Sequence, residues 1–293
     1  MSTRTGRRWA ASLLAAPLLS AVLASGAGLG ATAAGATTTS EPGGSTTTTL
    51  AAPAQPTWPL PYTDDDDVPV FPSGISLGAA TTWLGTALAV RIQELVNLGN
   101  SIDASRLLPQ QTKSNLDGTI LSDYHGLYGL LHTVANATDL PTLQGAADAM
   151  VIDYRVNSVL LPSVHAIVAL EAQLAEVRKL QGIETALQTA IGSVQSGKLA
   201  NQLGNLAGDF GNKLTSVVNA DQLVVSQLLN LTPSDYPIDS AIGDAQATLG
   251  SSGATLKNAD DDLRQILNAL GGANLGIGAV RSVTSLRTHL LKH

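Results

Sequence analysis

Five histidines, a Tyr-Arg pair ahead of a proline and one glycine-framed lysine are the residues of this sequence whose types could do chemistry. Gly192-Ser193-Val194-Gln195-Ser196-Gly197-Lys198 fits the G-x-x-x-x-G-K frame of a phosphate-binding loop. Such a loop needs a Ser or Thr after the lysine to hold Mg²⁺, and a strand before the first glycine. Leu199 stands at the first place and helical spacing at the second, so a helix-turn is expected instead. His125 and His132 are seven apart, two turns along one face, whereas chelation by a single helix favours three or four. A metal there needs ligands from another helix, with Asp123 and His165 the nearest candidates; surface or interfacial histidines are the simpler expectation. No metal site and no cofactor is assigned. With no cysteine there is no thiolate nucleophile, Cys–zinc site, iron–sulfur cluster or disulfide. H-E-x-x-H, G-x-S-x-G and the spaced ligands of a calcium loop are also missing. Without a nucleophile–base constellation no catalytic residue is assigned, and the chain is expected not to be an enzyme.

The most polar cluster on an otherwise apolar stretch is Asp153, Tyr154, Arg155, Asn157, Ser158 and His165, flanking Pro162. A proline inside a helix frees the carbonyl four residues back, here Ser158, and arginine offers a fork of donors to an anionic or polar ligand. Asp153, Tyr154, Arg155 and His165 are therefore the candidate binding residues. The same groups can instead satisfy exposed backbone and specify a bend, which is the stronger of the two expectations. Tyr124 and Tyr128 are helix neighbours that read as packing.

The elements that must position these residues are helices. The chain is 44% hydrophobic but only 3% aromatic, so its core is Ala, Leu, Val and Ile, suited to helices in close contact. Apolar residues recur at three and four along five stripes. Leu84, Leu88, Ile92, Leu95 and Ile102 form the first, and Leu116, Ile120, Tyr124, Leu127, Leu131 and Val134 the second. The third starts near Pro141, meets Pro162 and resumes as Ile167 through Val194. The fourth runs from Leu199 to Leu231 with coiled-coil-like spacing. The fifth runs from Ile238 to Leu270, interrupted at Gly250-Ser251-Ser252-Gly253 and opened by a Thr232-Pro233-Ser234-Asp235 cap. At ~1.5 Å per residue the third, near 80 Å, overhangs neighbours of ~45 Å. The expected fold is all-α: an elongated up-down bundle of about five helices, two three-helix units sharing a long helix kinked at Pro162. A single bundle in which Pro162 reverses the chain is the alternative.

Asp153-Tyr154-Arg155-Val156, Leu161-Pro162-Ser163-Val164-His165 and Leu231-Thr232-Pro233-Ser234-Asp235-Tyr236 resemble recurring phrases of exported all-helical envelope or secreted proteins of actinobacteria, a family without characterised activity. The resemblance covers roughly residues 84–270. It implies a long helical bundle and carries over no catalytic residue.

The ends bear on location. Arg4, Arg7 and Arg8 precede the apolar run Trp9–Leu23, and A-x-A sites follow at Ala31–Ala33 and Ala34–Ala36, so residues 1–36 are expected to be a signal peptide, cleaved or kept as an anchor. Residues 37–72, rich in Thr, Pro and Gly, are expected to be a disordered linker, its Thr clusters resembling a glycosylated stalk and its Asp64–Asp67 run a solvated boundary. The bundle occupies 73–270. Residues 271–293 carry Arg281, Arg287 and Lys292 without an acid, a basic amphipathic tail suited to weak membrane or wall contact or to packing on the bundle. Removing the signal takes three arginines and no acid, leaving 13 Lys+Arg against 23 Asp+Glu. That balance disfavours nucleic acid as a partner. No later stretch offers 18 uninterrupted apolar residues, so a soluble body is expected, secreted or held in the envelope. The expected function is that of an exported, non-enzymatic structural or interaction protein whose partner is an unknown protein or envelope component; the alternative is a small-ligand- or metal-binding bundle using the cluster around Pro162.

Overall fold

A computed structural model describes residues 69–272; the expected signal segment 1–36, linker residues 37–68 and tail residues 273–293 lie outside the described residues. Six α-helices and no strand are found among the described residues: α1 Leu77–Ala104, α2 Gln110–Ala135, α3 Leu140–Ile152, α4 Leu161–Gly192, α5 Gly197–Leu229 and α6 Asp239–Gly272. The all-α bundle expected from the stripes is what forms. α1, α2 and α3 pack on one another, α4, α5 and α6 do the same, and α3 and α4 are successive parts of one rod that both units share.

Local chemistry explains where the helices start. Ser76 and Ser196 cap α1 and α5, accepting from the backbone N–H of Ala79 at 3.2 Å and of Leu199 at 3.5 Å. Asp139 caps α3 by accepting from Thr142 N–H at 2.8 Å, with Pro141 in the first turn, where no N–H is missed. Asn136 and Asn230 close α2 and α5, each donating its side-chain amide to the carbonyl four residues back at 2.8 Å. The Gly192–Lys198 segment is the expected turn between α4 and α5.

Inside the helices a heptad rule sets which side is buried. Along α5 the buried positions alternate by four and three: Leu203, Ala207, Phe210, Leu214, Val217, Asp221, Val224 and Leu228. Removing the fully buried Phe210 ring would cost about 3–5 kcal/mol in lost burial and residual cavity. α1 repeats the rule through Leu84, Leu88, Arg91, Leu95, Leu98 and Ile102, with Arg91 fully buried and Ile92 only partly. α6 runs unbroken through Gly250–Gly253, correcting the expected interruption. Small residues Ala245, Ser252 and Ala259 repeat every seven on its buried side, letting α6 approach α5 closely and compensating for the helix-weakening glycines.

Polar contacts tie the helices across this apolar frame. Thr112 of α2 donates to the buried Glu171 of α4 at 2.9 Å, and Arg178 holds the other Glu171 oxygen at 2.9 Å. Lys213 of α5 bridges Asp209 and, on α6, Asp262, at 2.7 and 2.6 Å. Ahead of α1, Gln144 of α3 donates to the Pro69 carbonyl at 2.8 Å and accepts from Phe71 N–H at 3.3 Å, while the Phe71 ring meets Trp83 edge-on at 5.7 Å. Within Leu140–Gly192, a window of 18 residues reaches a mean hydropathy of 1.5, and half of that window is buried inside the protein.

Candidate functional site

The rod formed by α3 and α4 is interrupted ahead of Pro162. α3 ends at Ile152, with Asp153 N–H still bonded to the Ala149 carbonyl at 2.9 Å. Arg155 then takes φ 37 and ψ 47, the left-handed region, which costs a residue with a side chain about 1–2 kcal/mol. Val156–Leu160 form a π-helical turn, in which Leu160 N–H reaches the Arg155 carbonyl five residues back at 3.3 Å. α4 follows from Leu161. The expected kink at Pro162 is thus a break at Asp153–Arg155. Pro162 sits in the first turn of the next helix, where its missing N–H has little to lose, and Ser163 Oγ donates to the Val159 carbonyl at 2.7 Å.

Tyr154 explains why the chain turns here. Its ring lies across α2 at Gly126, so close that a Cβ on Gly126 would collide with Tyr154 Oη, Cε1 and Cζ. Burial pushes the phenol pKa above its ordinary value, and the charges of Asp153 and Asp123 add to the rise. Asp123, one turn before Gly126 on α2, lines a small void of about 50 Å³ with Tyr154, Leu116, Val159, Leu228 and Pro233. Burial among these apolar neighbours raises its carboxyl to about 6.

On the other side of Pro233 lies a larger, open cleft of about 470 Å³. Ile152, Asp153 and Arg155 form one wall; Thr232, Pro233, Ser234 and Tyr236 form the other. The expected cap at Thr232 is present: Asp235 accepts from Thr232 N–H at 2.7 Å and from its hydroxyl at 2.8 Å. These two bonds, the backbone one foremost, hold the Asp235 carboxyl below its ordinary pKa. They close only a 3₁₀ turn, Pro233–Asp235, and do not open α6. Pro237 disfavours helical geometry at Tyr236, so α6 waits until Asp239. The non-helical stretch this leaves brings Tyr236 to the break, where the Arg155 guanidinium lies 3.9 Å from the centre of its ring.

The four candidate residues therefore part company. Asp153 and Arg155 face the cleft, Tyr154 enters the small void behind it, and His165 lines neither. His165 is exposed on α4, yet enough protein surrounds its ring for desolvation to lower its pKa. His125 is exposed with its ring edge-on to Tyr124 at 5.6 Å, and His132 Nδ1 meets the Asn136 amide at 3.2 Å. Among the described residues no three His, Asp or Glu side chains gather where they could hold a metal ion. By spacing alone Thr232 and Ser234 belong to a helix cap and Tyr236 has no role, so this wall of the cleft is new. The lone aromatic of that segment, two residues beyond Ser234, was the available signal. The cleft wall carries one cation, one anion and the hydroxyls of Thr232, Ser234 and Tyr236, that of Thr232 donated to Asp235. Comparison with protein-family models, with curated proteins and with solved structures finds no match.

Proposed function

We propose that this chain is an exported, non-enzymatic interaction protein of the bacterial cell envelope, of the all-helical actinobacterial kind its sequence resembles, and that it recognises its partner through the cleft between the α3–α4 break and residues 232–236. The observation that carries the site is a coincidence of two irregularities. A non-glycine residue in the left-handed region is followed directly by a π-helical turn, and together they hold Asp153 and Arg155 at the mouth of the cleft. Backbone outliers of these kinds concentrate where a protein binds or switches. A volume of about 470 Å³ suits a small polar ligand or one protruding group of a larger envelope component. The Arg155 guanidinium favours an anionic group, while the Thr232 and Ser234 hydroxyls, their protons already given to Asp235 and to Thr232, present oxygens that accept from a hydroxyl-bearing one.

Thermal unfolding against a panel of glycerol phosphate, muropeptides and acidic oligosaccharides tests the site. A ligand at 100 times its Kd adds about 2.7 kcal/mol to stability, which moves the midpoint by several degrees. At least one probe should do this for the wild-type protein and not for Ser234→Trp, which fills the cleft on an exposed turn. Silence across the panel, or equal stabilisation of Ser234→Trp, refutes the assignment. Export is tested separately by fractionating the native culture and sequencing the mature N-terminus by mass spectrometry: recovery from the cytoplasm with Met1 intact overturns it. The basic residues of 271–293 are proposed to add a weak contact with anionic wall polymer or lipid, which should disappear as salt is raised.

A further inference from the structure

Asp221 stands at a core heptad position of α5 and is fully buried. Ser252 of α6 donates to its Oδ1 at 2.6 Å, while Oδ2 is buried with no donor facing it. Gln173 of α4 presents a second buried acceptor, Oε1, that also lacks a donor. The three residues share one level: a Cβ added to Gly253, beside Ser252, would stand 3.6 Å from the Gln173 amide nitrogen. Two orphaned acceptors in an apolar three-helix core are a costly arrangement, since each forfeits the hydrogen bonds it makes in water. A single proton on Oδ2 converts it from acceptor to donor, and Gln173 Oε1 is the unbonded acceptor at that level.

We propose that Asp221 is a proton-operated latch for the α4–α5–α6 unit: with a proton taken from solvent the layer is satisfied and the three helices lock, and on its release a bare buried carboxylate loosens them. Burial acts in this direction, raising the carboxyl from 3.8 to about 6 against the opposing pull of the Ser252 bond. Charged groups within a turn of the layer are otherwise occupied. Glu171 is bonded to Thr112 and Arg178, Glu176 to Lys179, and Lys113 of α2 to the Asp103 carbonyl, while Lys257 on α6 is exposed. None of these charges is among the causes of the shift.

Because the folded-state pKa is raised, the latch stabilises fully below 3.8 and its contribution is lost as pH rises through about 6. The test uses the full chain carrying Asp123→Asn, which removes the one other carboxyl among the described residues that is pushed up to about 6. Urea unfolding of this protein from pH 4.5 to 8 is compared with the same chain carrying Asp221→Asn in addition, whose amide donates permanently. The His165 contribution, of opposite sign, is common to both. The doubly substituted chain should gain on its parent as pH rises, approaching a 100-fold larger folding constant at pH 8, a shift of roughly two pKa units expressed as an equilibrium. A ratio independent of pH overturns the latch. Should Asp221→Asn fail to fold, ¹³C carboxyl titration of the Asp123→Asn protein decides alone: one aspartate should titrate near 6, and titration of all of them below 5, as a bridging water would permit, overturns the proposal. Gln173→Leu should weaken the protein at pH 4.5 and not at pH 8; an equal loss at both excludes Gln173 as the receiver.

Discussion

Replacing Gly126 by alanine should reverse the usual sign of a glycine-to-alanine change in a helix. In an open helical position the substitution stabilises by about 1 kcal/mol, because glycine surrenders more backbone freedom on folding. Gly118 and Gly129 of the same helix are such positions, with nothing within 4 Å of an added Cβ. At Gly126 the new methyl would occupy space held by Oη, Cζ and Cε1 of Tyr154. The ring must leave its seat or drag the α3–α4 break with it. Overpacking alone costs about 1–3 kcal/mol, and expelling a half-buried aromatic costs on the order of 2–4 kcal/mol. After subtracting the helical gain we expect Gly126→Ala to lose about 1–3 kcal/mol in urea unfolding, while Gly118→Ala and Gly129→Ala gain about 0.5–1 kcal/mol. In a Tyr154→Ala background the obstacle is gone, so Gly126→Ala should become stabilising, a coupling of roughly 2 kcal/mol or more. If Gly126→Ala proves as stabilising as its two controls, Tyr154 does not lie where we place it, and the account of why the rod breaks at residue 153 fails with it.

Three further outcomes follow from the contacts described. Thr112→Val strands the buried Glu171 Oε1 and should cost about 1–3 kcal/mol in chemical denaturation, against a few tenths for Thr119→Val on the exposed face of the same helix. Asp123 is held above its ordinary pKa by burial, so its ionisation opposes folding; Asp123→Asn should be more stabilising at pH 8 than at pH 4, and a pH-independent effect would contradict the burial. Asp139 is held low by Thr142, its hydroxyl before its backbone N–H, so the cap stabilises above 3.8 and the benefit fades as pH falls further. Asp139→Ala should therefore hurt at pH 7, and its deficit should shrink as pH is lowered below 3.8.

Helix identity and the division into two units were legible in the sequence because apolar spacing of three and four carries both. Counting apolar residues alone, however, passes over the core positions held by polar ones. The fourth stripe skips from Val217 to Val224, and the strict heptad alternation marks 221 as buried although the residue is aspartate. Arg91 and Ser252 were missed for the same reason. Pro162 predicts the break because proline is the usual interrupter, but a proline in the first turn of a helix interrupts nothing, and the packing of Tyr154 on Gly126 joins residues 28 apart in sequence, which no local pattern records. The delayed start of α6 was written in Pro237 all along. The cleft joins segments some 80 residues apart, so only its Asp153–Arg155 wall could be found beforehand.

The Gln144 carboxamide has a mechanical side. It grips the backbone on both sides of Val70, and it does so from α3, two turns ahead of the break. A pull on the chain leading into residue 69 therefore bears first on two hydrogen bonds to one side chain, before any strain reaches α1. Because α3 ends at Ile152, on the cleft wall, a load on residue 69 is passed to the same short helix that forms that wall.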